Sequence, residues 1–218
     1  MSLPAPVRSA RGLADLLVRV ERGERLPADP WLSVVPEPSP GEAAVVAFPG
    51  RIVVAADVEP DWVFARCPEG DLSAPLNPPF LGALEQHLGR RVNGVDALLV
   101  AKALGAVPEL ALRPLDDADH PRVRRACRYR DDVRVWAVDG AILIVGRGLG
   151  GRWEAAVEVD EAHRDRGLGR RLARAARSLI PGRRPVWAQV APGNAASVRA
   201  FLAAGYQPVG AEALLIAH

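Results

Sequence analysis

Long hydrophobic runs are missing from this chain: no window of its 218 residues holds 18 uninterrupted apolar side chains, so a membrane-spanning helix is not expected. The N-terminus places Pro4 and Pro6 ahead of its first charges instead of a compact apolar segment, the pattern of an unprocessed cytoplasmic protein. Cysteine is scarce. Cys67 and Cys127 cannot frame a disulfide scaffold, and no CxxC or HxxxH spacing offers a zinc site, so no metal is expected. Lysine is nearly absent: Lys102 stands alone among 28 basic residues, the rest being arginine. Aromatic residues make up 5% of the chain, and none lies between His163 and Arg184. That stretch carries Arg164, Arg166, Arg170, Arg171, Arg174, Arg177, Arg183 and Arg184 against the single acid Asp165. Such a positive field suits phosphates. Without interleaved aromatics it lacks the stacking surfaces of a nucleic-acid binder, so nucleic acid is not an expected partner.

What remains is ordinary for a globular protein, with 49% apolar residues, 25% charged residues and a formal charge of +2. The length allows one sizeable core or two small ones. Residues 1–41 read as a short helix from Ala10 to Glu24 and then a linker or wrapping arm punctuated by Pro27, Pro30, Pro36, Pro38 and Pro40. Residues 42–108 read as a smaller strand-rich α+β domain. Its strands are expected at 43–48, 51–58 and 62–67, with a helix over 80–89 stopped by glycine. The apolar run 95–104 suits a buried element of either type.

Residues 109–218 alternate more regularly. Strands are expected at 111–115, 133–138, 141–146, 153–159, 186–190 and 213–217, and helices over 117–128, 167–179 and 195–204. Asp139-Gly140 supplies the positive φ angles of a tight hairpin turn. The fold class implied is α+β, a central mixed sheet flanked by helices, preceded by the smaller α+β domain.

Two glycine clusters compete for the phosphate-binding role. Gly146-Arg147-Gly148-Leu149-Gly150-Gly151 satisfies GxGxxG, but dinucleotide binding needs a helix to open at the glycines. The next residues, Trp153-Glu154-Ala155-Ala156-Val157-Glu158-Val159, are a strand pattern. A glycine-rich loop between two strands accounts for the run. Arg164-Asp165-Arg166-Gly167-Leu168-Gly169 is different, because here glycines do open a helix, with Leu168, Leu172, Ala176 and Leu179 at helical spacing. Glycine there lets a ligand approach bare amides at the positive helix end, which suits a diphosphate.

That segment resembles the pyrophosphate loop of the GNAT superfamily of acyl-CoA-dependent N-acyltransferases, Arg/Gln-x-x-Gly-x-Gly/Ala. Asn194 to Tyr206 resembles the family's second motif, a helix opened by asparagine and closed by Gly205 and an aromatic residue. The resemblance covers 153–206, about half the chain. Residues 42–108 look like half of a GNAT sheet without its glycine loop, either a degenerate domain shaping the acceptor site or an unrelated α+β module.

The resemblance implies acetyl-CoA as co-substrate, lying in a gap between splayed strands. Backbone groups of Val157, Glu158 and Val159 would pair with pantetheine as an added strand. Arg164, Asp165, Arg166, Gly167, Leu168, Gly169 and Arg170 would hold the pyrophosphate, and Asn194 would meet the pantetheine arm. Read plainly, the valines are core and Asn194 is a helix cap.

The implied reaction is direct attack of a neutral amine on the thioester. Deprotonating a lysine-like amine at pH 7 costs about 4.6 kcal/mol, and an α-amine about 1 kcal/mol. Family members often use a tyrosine acid and a glutamate base, but Phe201 and Gln189 stand at the corresponding positions here. A missing positioned acid forfeits roughly 10²–10⁴ in rate, although a thiol of pKa about 8.5 leaves without one. Glu154 is the remaining candidate base; read plainly, it is an exposed strand carboxylate. The acceptor would be a small-molecule amine or a protein N-terminus. The competing reading is an acyl-CoA-binding sensor that has lost catalysis. Oligomeric state stays open, with a homodimer through the C-terminal sheet as one option.

Overall fold

The computed structural model describes residues 12–115 and 119–217. The expected helix start at Ala10, residues 117 and 118 of the expected 117–128 helix, and His218 lie outside them. The chain divides into two compact units. One holds the described residues up to Asp96 together with those from Gly210, and the other is Ala97–Val209. The sequence reading sets its boundary at 108/109 and keeps the C-terminal strand with the second half.

In the first unit, α1 (Leu13–Glu21) buries Leu13, Leu16 and Leu17. It is followed by β1 (Leu32–Val35), β2 (Ala43–Phe48) and β3 (Arg51–Ala55). The expected proline-rich linker thus contains a strand. β1 fits between Pro30 and Pro36, where five residues are free of proline, and pairs parallel with β3. Glu37 in the following bend is held by Arg90 through two hydrogen bonds of 2.7 and 3.2 Å.

The expected strand at 62–67 is corrected to a helix, α2 (Pro60–Phe64). Pro60 occupies its first turn, where the fixed φ favours a helix start and no N–H is missed. α3 (Pro78–Leu88) closes at Gly89 in the left-handed conformation, φ 63°, and β4 (Arg91–Ala101) resolves the 95–104 run as a strand. Within this unit Ile52, Val54 and Val45 of the sheet pack against Phe80, Leu81 and Leu84 of α3 and Val63 of α2.

In the second unit come β5 (Arg113–Leu115), α4 (Pro121–Tyr129), β6 (Asp131–Val138) and β7 (Ala141–Arg147). They are followed by β8 (Trp153–Val159), α5 (Leu168–Leu179), β9 (Val186–Val190) and α6 (Ala195–Ala203). Strands 153–159 and 186–190 match the sequence reading residue for residue. The hairpin between β6 and β7 turns as expected, but only Gly140 takes positive φ (70°); Asp139 does not.

The order here is β4-β9-β8-β7-β6-β5, antiparallel except for β8 and β9. Side chains alternate across it. Leu143 and Val145 face the layer of Leu172, Ala173, Ala176 and Phe201 from α5 and α6, while Ile144 and Val135 face Val123 and Ala126 of α4. The last strand, β10 (Gln207–Ile216), pairs Ala211–Leu215 with β2 in the first unit. Gly210 is needed there, because a Cβ would strike the carbonyl of Ala47. No helix among the described residues is long and apolar enough to cross a membrane.

Candidate active site

The sheet of the second unit is opened in one place. β8 pairs with β7 along all seven of its residues, and β9 pairs with β4 along all five of its own. Between β8 and β9 a single register pair forms, Glu154 with Trp187. Beyond it the two parallel strands part, so the edges carrying Ala155–Val159 and Ala188–Val190 lack each other as partners. An open strand edge inside a sheet is a template for another extended chain. Exposure follows the same line: Trp153, Glu154 and Ala155 are buried, and Ala156 to Val159 only half-buried. Val157 and Val159 lean on the core under α5. Glu158 turns its carboxylate to Arg122 at 2.5 Å.

At the open end of β8 the chain makes a short 3-10 turn, Glu161–His163, and enters the glycine loop. Asp165 (φ 60°) and Gly167 (φ 73°) are both left-handed, which turns the backbone sharply ahead of α5. No side chain caps that helix, so its leading N–H groups have no partner within the helix and face outward with the positive end of its dipole. The loop is not plugged: Arg164, Asp165, Arg166, Gly167 and Arg170 are exposed, and Leu168 and Gly169 half-exposed. Arg164 folds back, its Nε donating to the Val159 carbonyl at 3.3 Å. A Cβ on Gly169 would sit 3.7 Å from Ala200 and 3.8 Å from Val159, ordinary contacts. The protein's own packing therefore does not require glycine at 169.

Glu154 is not the exposed carboxylate of the plain sequence reading. It is 3% exposed and held on both oxygens, by Arg152 Nε at 2.8 Å and by Arg130 Nε at 2.8 Å. Burial pushes its pKa up, but the two guanidinium groups and their hydrogen bonds outweigh that and hold the carboxyl below its ordinary value. A base poised near neutral pH needs the opposite displacement. Arg152, 1% exposed, also lies 5.2 Å from the Trp187 ring. Arg130 reaches across the parting strands, its Nη2 donating to Gln189 Oε1 at 3.5 Å, so one guanidinium links β8 to β9 beside the fork.

This cluster explains the glycine run. It is a loop between β7 and β8, as the strand pattern implies, and its glycines make room for ions. A Cβ on Gly148 would lie 2.5 Å from the carboxylate oxygens of Glu154, and one on Gly146 3.1 Å from Arg130 Cβ.

The other candidates are placed as follows. Asn194 caps α6, its Oδ1 accepting from the Ser197 N–H at 3.1 Å, which leaves its Nδ2 amide to point elsewhere. Phe201 is buried edge-to-face on Tyr206, centroids 4.9 Å apart. The Tyr206 hydroxyl donates to the Ala173 carbonyl at 3.2 Å, and burial drives its pKa upward, so it is no proton donor for the fork. His163 lies over the Gly140 turn, 3.6 Å from Asp139. Among the described residues no group of three His, Cys, Asp or Glu side chains is gathered in metal-binding fashion.

Sequence reasoning missed Arg130, Arg152 and Trp187. Arg152 had a signal, since it lies two residues before Glu154 and on the same face of the strand. Arg130 had none, because its reach depends on how α4 meets β6.

The acetyltransferase (GNAT) family matches residues 112–206. No curated protein matches the chain. The solved structures similar to it include two with the following extents of match. One is a GCN5-related N-acetyltransferase from Kribbella flavida, at 19% identity and TM-score 0.40, covering 64% of each chain. The other, from Novosphingobium aromaticivorans, is described as an acetyltransferase of the GNAT family, at 22% identity and TM-score 0.39, covering 59% of this chain and 67% of that one. The open strand pair and the uncapped glycine-led helix beside it both lie within residues 112–206, the part of the chain that matches the acetyltransferase (GNAT) family.

Proposed function

We propose that the protein transfers an acetyl group from acetyl-CoA directly to an amine. The observation that carries this reading is the single β8–β9 register pair, which leaves a slot leading to the uncapped amides of α5. In this reading the β8 backbone at Val157, Glu158 and Val159 pairs with the pantetheine arm as an extra strand. The amides from Asp165 to Arg170 hold the pyrophosphate with Arg164 beside them. The Asn194 side-chain amide, its oxygen committed to the α6 cap, donates to the arm through Nδ2.

Glu154 is not proposed as the base. Its carboxylate is the shared counter-ion of Arg130 and Arg152, and its work is to hold those side chains at the fork. Gln189 and Phe201 carry no titratable proton. With no base among Glu154, Gln189 and Phe201, the acceptor favoured is an amine that is partly neutral near pH 7. An α-amine of a small molecule or of a protein N-terminus loses its proton for about 1 kcal/mol, against about 4.6 for a lysine-like amine.

The same locked residues also support a second reading, an acyl-CoA-binding sensor with residual or no catalysis. Thiol release from acetyl-CoA across a panel of α-amines, peptides and alkylamines separates the two. Release with α-amines ahead of alkylamines is the expected result. Tight binding of acetyl-CoA with no release above background for any acceptor would establish the sensor instead.

A further inference from the structure

The proposed transfer reaction assigns no role to Arg51, an arginine in the first unit. It opens β3, is 5% exposed, and shares a sheet face with Ser33 of β1, which is 4% exposed. Its Nη2 donates to Ser33 Oγ at 2.9 Å. Its Nε is buried with no hydrogen-bond partner, and among the described residues no carboxylate pairs with it. Asp29 is near enough to be felt and so is Arg19 of α1, the second pushing against the charge and burial pushing harder. The Arg19 guanidinium is itself held by Glu24 at 2.8 Å.

Burying a cation without a counter-ion is costly, and an apolar side chain of similar volume would serve packing at least as well. Donors there are left unspent. Nε–H lacks an acceptor, and a hydroxyl that accepts from a guanidinium keeps its own proton to give. Nε with a neighbouring Nη is also the edge by which arginine takes a carboxylate or phosphate in two parallel bonds.

We propose that Arg51 and Ser33, with Arg19 at the edge, form a binding site in the first unit for an oxyanion group, phosphate or carboxylate. The group completes the hydrogen bonding of Arg51 and supplies the missing negative charge.

The test is thermal unfolding of the full chain in sodium phosphate, and separately in sodium acetate, each against sodium chloride at matched ionic strength. At about ten times the dissociation constant the midpoint should rise by roughly 3–6 °C, and the anion giving the rise identifies the class. Arg51→Met should unfold at or above the wild-type midpoint in chloride and lose the anion-dependent rise; Ser33→Ala should reduce it. No rise with either anion in the wild type overturns the proposal. So does a rise that survives intact in Arg51→Met, since the anion then sits elsewhere, on the glycine loop for instance. If Arg51→Met does not fold, Ser33→Ala decides: an undiminished rise refutes the site.

Discussion

Replacing Glu154 by glutamine tests the ionic cluster with almost no change of shape. In the wild type each carboxylate oxygen takes one Nε–H at 2.8 Å. Glutamine keeps one acceptor but turns an NH2 group towards the other arginine, donor against donor, and removes the charge both guanidinium groups share. Glu154 is buried, so solvent does little to screen the loss. Breaking a buried pair from one side costs about 3–5 kcal/mol, and for a chain of this size each kcal/mol moves the midpoint about 2–4 °C. A fall of about 6–12 °C, taking the lower end of the cost, is therefore expected in calorimetry at pH 7.

The pH dependence has a definite sign. The folded pKa of Glu154 is depressed, so its contribution is present above the ordinary carboxylate value and is lost as pH falls through the lower folded value. The gap between wild type and Glu154→Gln should hold from pH 7 to about 5 and close below about pH 4. A midpoint unchanged within about 1 °C at pH 7, or a gap that widens in acid, would refute the cluster as described.

Three further outcomes follow from the same geometry. Gly148→Ala brings a Cβ to 2.5 Å from the Glu154 carboxylate oxygens and should cost about 1–3 kcal/mol, measured by denaturant titration; a neutral result would mean the carboxylate lies elsewhere. Gly210→Ala, aimed at the backbone carbonyl of Ala47, should weaken the β2–β10 pairing, read as faster amide exchange over 43–47 and 211–215. Cys127 is exposed whereas Cys67 is buried and pushed up to about 11, so a thiol reagent at pH 8 should label Cys127 promptly and Cys67 only on unfolding. Equal rates would contradict the packing of the first unit.

The second unit was legible because its signals are local. Alternating apolar residues mark 153–159 and 186–190, and Gly167 and Gly169 mark the turn into α5, each decided within a few positions. The first unit was less so. At 62–67 the β-rich composition of Trp-Val-Phe lost to Pro60, whose fixed φ starts a helix, and β1 hides between prolines because its pairing with β3 is non-local. The sheet role of the last strand, joined to β2 across more than 160 positions, leaves no mark in its neighbourhood. At the site, the fork is legible only through resemblance, and the burial of Glu154 leaves no local mark because it depends on Arg130, 24 residues away.

Calorimetric titration of acetyl-CoA into the wild type and Gly169→Ala addresses the proposed acyl-CoA slot most directly. Alanine at 169 meets only ordinary contacts of 3.7 and 3.8 Å and gains up to about 1 kcal/mol of helix preference, so the fold should be as stable or more so. The wild type should bind acetyl-CoA, and Gly169→Ala should bind at least about tenfold more weakly, a difference of about 1.4 kcal/mol, because its methyl group occupies the approach to the helix amides. No binding by the wild type, or equal binding by the two proteins, would contradict the account.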